Sequence, residues 1–521
     1  MLNRRRFVQA LGVATLAAGK ASAASKGLQF GPAMPFSHEA LKAQAKAMAQ
    51  KPYEPPPRPD PEIVQRLNYD AHGKLHFRYD FALWGEGGGA YPITFQHVGR
   101  YFPKTVRMFA VDGGQAREVL YSRDYFTIAP DSPAAALPAE SSAFAGFWVM
   151  ESRDGPDWKL LEPWVTFLGA SYFRAIGELG QVGMSARGVA LTPGGPGQEE
   201  FPDFIAHWIE PAASDGDPVI LHSLLDSPSL TGAYRFALHR TQGVLMDIEV
   251  DLNLRAPIER FGIAPLTSMF WYSETLKPTG IDWRPEVHDS DGLAVWTRAG
   301  EHIWRPLNNP PHATLSSFID ENPRGFGLLQ RDREFDHYQD GVKYHLRPST
   351  WVEPLGNWGR GAVQLLELPT DDEIHDNICA SWVSEEPTRT GQSLNYTYRL
   401  HWLADEPFPS PLARVVATRL GRGGQPGQPR PKGVRKFMVE FWGAPLRELP
   451  YGVKPEPVVT TSRGTFGPYQ FTEPVPDDLP GHWRTQFDLI VDGTEPVELR
   501  CFLKLGDKTL SETWAFQYHP F

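Results

Sequence analysis

The sequence predicts an all-β protein made of two antiparallel sandwiches. Proline and glycine number 49 and 48 among 521 residues, a density that helix bundles do not tolerate and that turn-rich sheets do. In several segments apolar residues recur at every second position, as on strands with one buried face. No alternation of strands with helices runs along the chain, which argues against a parallel α/β sheet. Many short antiparallel strands therefore favour sandwiches.

The composition and charge exclude several classes of protein. Hydrophobic residues make up 41% of the chain and charged residues 22%, which is typical of a globular protein and not of a disordered one. No apolar run reaches the roughly 18 residues that a membrane-spanning helix needs. The formal net charge is -11, so the chain lacks the basic surface that binding to nucleic acid or to an anionic membrane requires.

The first 23 residues have the features of a signal peptide. Residues 4–6 are arginine, residues 10–19 form a mild apolar stretch, and residues 21–23 (Ala-Ser-Ala) form a small-x-small cleavage site. The arginine pair and the weak apolar stretch favour twin-arginine export to the bacterial periplasm. A basic tail retained on a cytosolic protein is the alternative.

The large predicted domain covers residues 24–403. Ser37 is expected to cap a helix over residues 38–50. Residues 52–61 (PYEPPPRPDP) are typical of an extended strap. Beyond the strap, alternation at period two predicts strands, most clearly at 248–254 and 396–402.

A segment rich in proline and glycine, residues 404–433, is predicted to be a linker to a smaller domain at 434–521. Alternation at 437–442 and 497–505 predicts short strands there, and about 100 residues of such strands suit an immunoglobulin-like sandwich. The smaller domain carries no cluster of acids and bases in its sequence. We therefore expect it to have an interaction or buttressing role.

The two cysteines, Cys379 and Cys501, are expected to be buried thiols, because they fall in different predicted domains. No cluster of histidine, cysteine and carboxylate has metal-ligand spacing. Asp336 and His337 are adjacent in sequence, which is poor geometry for sharing an ion. We therefore expect neither a metal nor another cofactor.

Three stretches of the large domain, at 287–293, 335–353 and 371–378, combine carboxylates and other polar residues with glycine or aromatic residues. Cleavage of a glycosidic bond needs one carboxylic acid to protonate the leaving oxygen and a second carboxylate to act on water or as a nucleophile. Asp376 leads directly into a predicted strand at 378–382, and partial burial there would raise its pKa, as a general acid requires. Spacing alone does not identify the partner of Asp376, and turns or solvated acidic loops are the alternative for each stretch.

The sequence resembles the periplasmic glucans biosynthesis protein G/D family from about residue 60 to the C-terminus. Many long matches follow one another in the same order. They are FLGASYFRA at 167–175, SARG at 185–188, EFPDF at 200–204, LDS at 225–227, TGAY at 231–234, GIAPLTSMF at 262–270, HDSD at 288–291, PLNNP at 306–310, NPRGFGLLQ at 322–330 and WVEP at 351–354.

The resemblance implies a fold, a substrate and a mechanism. The fold would be a large galactose-mutarotase-like β-sandwich joined to a smaller immunoglobulin-like domain. The substrate would be β-1,2-glucan, cleaved with inversion at the anomeric carbon, and some relatives instead transfer the glucan chain. On the family pattern, Asp376 would be the general acid. Asp289 would be the general base, acting through a relay of water and hydroxyl groups.

The same stretches supply the residues that we expect to bind the substrate. On the family pattern, Tyr344 and Arg347 line the cleft. The further candidates are Trp351, His288, Asp291 and Glu373. The partners expected beside the glucan are an inner-membrane glucan synthase complex and a second copy of the chain.

Three functional hypotheses remain open on the sequence. The first is a periplasmic endo-β-1,2-glucanase of the inverting type. The second is an anomer-inverting transglycosylase that cyclises or remodels the glucan, with a sugar hydroxyl as the acceptor and bulk water excluded. The third is a non-catalytic glucan-binding or assembly protein, which the 16 tryptophans and the immunoglobulin-like domain would suit.

Overall fold

The structure, a computed structural model, describes residues 27–138, 141–194, 199–277 and 280–520. The predicted signal peptide at 1–23 lies outside the described residues. Strands dominate the described chain and its helices are short, which confirms the all-β fold class. Among these residues, no helix has the length and apolar character needed to cross a membrane.

The first helix of the described chain begins where the sequence predicts it. The Ser37 hydroxyl accepts a hydrogen bond from the Ala40 backbone N–H at 3.2 Å, and the face carrying Leu41 and Ala45 is buried. The α-helices are α1 His38–Ala49, α2 Pro61–Arg66, α3 Tyr69–His72, α4 Phe335–Tyr338 and α5 Ala444–Arg447. Short 3-10 helices span Tyr79–Phe81, Arg123–Tyr125, Pro133–Ala136, Trp158–Leu160 and Tyr344–Leu346.

The chain forms two compact units. Unit 1 contains the described residues up to Pro265, together with Pro354–Trp358 and Ser381–Leu403. Unit 2 contains Leu266–Glu353, Gly359–Ala380 and the residues from Ala404 onward.

The strands of unit 1 form two sheets and one small pair. The strands are β1 Met34–Pro35, β2 His76–Phe77, β3 Ile93–His97, β4 Arg107–Asp112, β5 Gln115–Glu118, β6 Phe126–Thr127, β7 Phe144–Val149, β8 Val165–Leu168, β9 Tyr172–Ala175, β10 Ser185–Arg187, β11 Val189–Leu191, β12 Asp203–Glu210, β13 Val219–Asp226, β14 Leu230–Arg240, β15 Val244–Leu254, the first part of β16 Phe261–Ser268, and β26 Ser393–Leu403. One sheet has the order β1-β5-β4-β12-β13-β14-β15-β26, and the other contains β10-β9-β8-β7-β3.

The two sheets of unit 1 meet through aromatic side chains. The rings of Phe167 on β8 and Phe236 on β14 lie 5.3 Å apart in an edge-to-face arrangement. On β15 the apolar residues of 248–254 are buried, which confirms the alternation seen in the sequence.

Unit 2 holds most of the remaining strands. They are β17 Phe270–Tyr272, β18 Val287–His288, β19 Gly292–Trp296, β20 His302–Pro306, β21 Thr314–Glu321, β22 Gly325–Leu329, β23 Ser349–Leu355, β24 Arg360–Glu367, β25 Ile378–Ser384, β27 Arg414–Arg422, β28 Val434–Trp442, β29 Glu456–Thr461, β30 Thr465–Pro474, β31 His482–Ile490, β32 Val497–Leu505, β33 Lys508–Thr509 and β34 Thr513–Tyr518. Their main groups are β23-β22-β19-β20-β34-β32-β29 and the four-stranded sheet β27-β28-β31-β30. The pairs β17-β18 and β21-β24 lie outside these two groups.

One hydrophobic core in unit 2 joins the C-terminal strands to strands from before residue 404. Trp304 and Trp351 belong to this core together with Phe437, Phe487 and Trp514. The strand β27 lies within the segment 404–433 that the sequence predicts to be a linker. Its Val415 packs into the same core. The two cysteines are buried thiols outside any disulfide, as predicted.

Candidate active site

Asp289 is held against the segment that follows β16. β18 pairs with β17 so that His288 lies opposite Phe270, and the Asp289 backbone N–H donates to the Met269 carbonyl at 2.8 Å. The Asp289 side chain is only 4% exposed. These two backbone contacts hold the Asp289 main chain against the segment that contains Met269 and Phe270.

Asp376 is held against the same segment through the next residue, Asn377. The buried Asn377 side chain accepts a hydrogen bond from the Phe270 N–H at 2.8 Å and donates to the Phe270 carbonyl at 2.9 Å and to the Leu368 carbonyl at 2.8 Å. Asp376 itself is half-buried. Because Asp289 is anchored to Met269 and Asn377 to Phe270, the structure brings the two predicted acids to adjacent residues of one segment.

Arg347 and Tyr344 form the next layer around Asp289. The Arg347 Nε lies 3.2 Å from Asp289 Oδ1, and the guanidinium lies over the Tyr344 ring, 4.9 Å from its centroid. The neighbouring positive charge favours the ionised carboxylate that a general base needs. Burial raises the pKa of Tyr344, and the Asp289 charge adds to the effect. The hydroxyl therefore keeps its proton, and it donates to Glu373 Oε2 at 2.8 Å.

Sequence reasoning missed Arg284, which is the centre of a buried ionic cluster. Its guanidinium forms a two-point contact with Asp282, at 2.8 and 2.9 Å, and donates to Asp340 at 2.7 Å and to Glu373 at 2.6 Å. Burial alone would lower the pKa of Arg284, but these three carboxylates outweigh it and raise the pKa. Nothing in the sequence signals the whole cluster, because Asp340 and Glu373 come from segments far from Arg284 in the chain.

His288 is fully buried, so direct contact of its side chain with a sugar would require the surrounding chain to move. Its Nε2 donates to Glu286 at 2.9 Å and its Nδ1 donates to Gln330 Oε1 at 3.1 Å. Burial alone would lower the pKa of His288, but the bond to Glu286 and the charge of Asp291 raise it to about 9. The imidazole is therefore protonated on both nitrogens and positions the HDSD motif.

Asp291 and Trp351 serve the surrounding framework in this structure. Asp291 Oδ2 accepts hydrogen bonds from the backbone N–H groups of Arg331 and Asp332, and burial raises its pKa to about 6 against the opposing charge of His288. Trp351 is 2% exposed in the core of unit 2. Its indole fills the space beside Gly325, where a Cβ would lie 2.4 Å from the ring.

A pocket of about 580 Å³ lies in unit 2 beside the last residue of the HDSD motif, Asp291. Glu286, Asp291 and Trp442 line it, whereas Asp289 and Asp376 do not. Metal-ligating groups are also present there. One ligand atom each from Glu286, Asp332 and His337 lies within 4.8 Å of the others.

Known proteins similar to this chain share its whole length. The profile of a family described as periplasmic glucan biosynthesis protein, MdoG, matches residues 36–518. A Ralstonia nicotianae protein named Glucans biosynthesis protein D 2 is 58% identical over 532 residues, which cover 100% of this chain and 98% of that protein. Proteins named Glucans biosynthesis protein D from Xanthomonas campestris pv. campestris and Stenotrophomonas maltophilia are each 44% identical, with 100% of this chain and 98% of each relative covered.

One solved structure resembles the chain weakly. Heparan sulfate lyase HepC from Pedobacter heparinus matches at 8% identity with a TM-score of 0.15, over 69% of this chain and 39% of the lyase. That likeness carries no argument about this chain. The family match covers the candidate site and almost all of the described residues, and it confirms the resemblance found in the sequence. The chain belongs to the periplasmic glucan biosynthesis protein MdoG family.

Proposed function

We propose that the protein cleaves β-1,2-glucan with inversion at the anomeric carbon, as an endo-acting enzyme of periplasmic glucan biosynthesis. Asp376 is the general acid and Asp289 is the general base, which acts through a relay. The observation that carries this proposal is the shared anchor of the two acids: Asp289 is bonded to Met269, and Asn377, next to Asp376, is bonded to Phe270.

In the proposed reaction, the bond between the anomeric carbon and the bridging oxygen breaks while Asp376 gives its proton to that oxygen. A water molecule forms the new bond from the opposite face of the ring, and its proton passes along the relay to Asp289. A base that touches the water directly lies roughly 6.5–9.5 Å from the acid. A relayed base has no such limit, which suits the burial of Asp289.

The ion pair between Arg347 and Asp289 supports the assignment of roles, because the base must be ionised while the acid holds its proton. Arg347, whose side chain is 14% exposed, is proposed to line the cleft, with the buried Tyr344 ring beneath its guanidinium. Burial of His288 and Glu373 supports a positioning role for them, and the backbone N–H groups that donate to Asp291 support the same role for it. Burial of Trp351 supports a packing role in place of direct contact with a sugar.

The place of action that we propose is the periplasm, reached by twin-arginine export. The word periplasmic in the family description supports it. An inner-membrane synthase complex and a second copy of the chain are the proposed partners beside the glucan.

A second candidate function is transfer of the cleaved chain to a sugar hydroxyl, with cyclisation as one outcome. It is favoured by the names of the relatives, which refer to glucan biosynthesis. The acids and the bond that breaks are the same. Only the acceptor differs, and bulk water must then be excluded from the cleft.

The deciding experiment incubates purified chain 24–521 with linear β-1,2-glucan and follows the products by mass spectrometry and by anomer-resolved NMR. Short linear products of inverted configuration support hydrolysis, and a product lighter by one water than its linear counterpart supports cyclisation. We expect Asp376→Asn to lower kcat by about 10²–10⁴-fold, while the matched exposed change Asp371→Asn leaves kcat unaltered. Glucan binding without turnover by the wild-type chain, or full activity of Asp376→Asn, would contradict the proposal.

A further inference from the structure

We propose that Glu286, Asp332 and His337 form a binding site for one divalent cation. The site opens onto the 580 Å³ pocket of unit 2 and is separate from the two proposed catalytic acids. The proposal does not depend on the glucan-cleaving function. It assigns a divalent cation as a ligand of the pocket beside the HDSD motif.

The donor set and its spacing suit a transition-metal ion. Two carboxylates and one imidazole are ligands that Zn²⁺ and Mn²⁺ accept. The three donor atoms already lie within 4.8 Å of one another. Ligands of a tetrahedral ion with bonds of roughly 2.0–2.2 Å lie about 3.4 Å apart, so small side-chain rotations bring the three atoms to that distance.

The buried carboxylate of Glu286 is the second observation that points to a cation. The side chain is 9% exposed and lines the pocket. Its Oε2 accepts the hydrogen bond from His288, whereas its Oε1 has no hydrogen bond to any described residue. Glu286 therefore keeps one carboxylate oxygen, on a side chain that lines the pocket, to which a cation can bind.

Hydrogen bonds from neighbouring residues orient the side chain of Glu286 and the main chain at Asp332. His288 donates a hydrogen bond to Glu286. Asp291 accepts hydrogen bonds from the backbone N–H groups of Arg331 and Asp332, which fixes the main chain at Asp332. The His337 Nδ1 lies 2.5 Å from Asp332 Oδ2 at the surface of the pocket. Metal-binding carboxylates and imidazoles are characteristically oriented by such outer hydrogen bonds.

The bound ion has a structural consequence for the neighbouring motif. Glu286 lies two residues before His288, and Asp332 and His337 lie on the segment that leads to Tyr344. An ion shared by the three therefore ties that segment to the strand that carries the HDSD motif. Because such an ion binds the folded chain in preference to the unfolded one, it raises the unfolding temperature.

The test uses chain 24–521 without a histidine tag, treated with a chelator, dialysed, and then equilibrated with Zn²⁺ alone. Metal analysis is expected to find one Zn²⁺ per chain, and calorimetry is expected to give an affinity that falls by about tenfold or more in Asp332→Asn and in His337→Ala. Both changed side chains are partly exposed, 26% and 51%, and circular dichroism checks that the variants fold.

The matched controls are Asp336→Asn, which changes the carboxylate beside His337, and His312→Ala, which changes an exposed histidine outside the cluster. Both are expected to bind Zn²⁺ as the wild-type chain does. A wild-type chain that binds no Zn²⁺ overturns the proposal. The proposal is also overturned if Asp332→Asn and His337→Ala bind Zn²⁺ with the same stoichiometry and affinity as the two control variants.

Discussion

Asp289 lies against Arg347 at 3.2 Å, and the Arg347 guanidinium in turn covers the Tyr344 ring. At the scale of the residue, this contact determines whether a largely buried carboxylate can act as a base. The guanidinium favours the charged form of Asp289, and burial opposes it. The balance between the two should therefore be visible in the pH dependence of the reaction.

We expect Arg347→Met to lose activity first on the acidic side. Without the guanidinium, the proposed base loses the neighbouring charge that favours its ionised form, so we expect the acidic limb of the pH profile of kcat to move to higher pH. Arg347→Lys, which keeps a positive charge, is expected to move the limb less. An unchanged profile in Arg347→Met would show that the ion pair does not govern the base.

His288 gives a second residue-scale expectation, in stability. Its pKa in the folded chain, about 9, lies above the ordinary value of 6.5. The stabilisation is thus fully present below pH 6.5 and is lost as the pH rises through 9. We expect the free energy of unfolding to fall by about 3 kcal/mol over this window in the wild-type chain, and we expect His288→Gln to lack that fall.

Urea unfolding at several pH values checks the expectation for His288. Asp291, whose pKa is raised to about 6, titrates below the window and so does not account for a change between pH 6.5 and 9. Parallel stability curves for the wild-type chain and His288→Gln across this window would refute the assignment of a charged imidazole.

At the scale of the element, Arg284 connects three separate segments. Asp282 belongs to the approach to β18, Asp340 to the segment after α4, and Glu373 to the loop that leads to Asp376. The cluster therefore fixes the loop of the proposed acid relative to the strand of the proposed base.

We expect Arg284→Met to be strongly destabilising. The change leaves buried carboxylates without their partner, at a cost of about 3–5 kcal/mol. Adding Glu373→Gln to Arg284→Met is expected to recover part of that loss, because one of the unpaired charges is removed. Denaturant unfolding of the two single variants and the double variant measures the coupling. If Arg284→Met lowers the free energy of unfolding by less than about 1 kcal/mol, the expected role of the cluster is contradicted.

Elements with local signals were predictable from the sequence, and contacts between distant segments were not. The cap of α1 at Ser37 and the alternation on β15 depend on neighbouring residues alone. The family resemblance pointed to Asp289 and Asp376, but not to the bonds that hold them. The partners of Arg284 and the hydrogen bonds of Asn377 to Phe270 join residues far apart in the chain, so they exist only once the strands have paired.

At the scale of the whole molecule, the C-terminal strands share their core with earlier parts of unit 2. Ala294, Trp304, Leu329 and Trp351 pack into the cluster that contains Phe437 and its C-terminal neighbours. The predicted immunoglobulin-like domain at 434–521 stays a prediction, and this shared core makes it testable.

We expect the fragment 434–521, expressed alone, to lack a stable fold, because its apolar core loses the tryptophans supplied by β20 and β23. The fragment 404–521 restores β27 and completes the four-stranded sheet but still lacks the two tryptophans, so it is expected to be unstable as well and separates the effect of β27 from theirs. Near-ultraviolet circular dichroism and amide dispersion in NMR spectra measure the outcome. A cooperatively unfolding 434–521 fragment would contradict the expectation and support the domain bounds predicted from the sequence.

Met269 and Phe270 anchor the two proposed acids through consecutive peptide groups. This short stretch of backbone, together with the Arg284 cluster, therefore holds the proposed acid and the proposed base in place. Under the proposed function, changes in loops outside these two anchors would alter the length of glucan admitted and the identity of the attacking group while the two acids stay where they are. The same two carboxylates would then suit either water or a sugar hydroxyl as the attacking group, as the two proposed functions require.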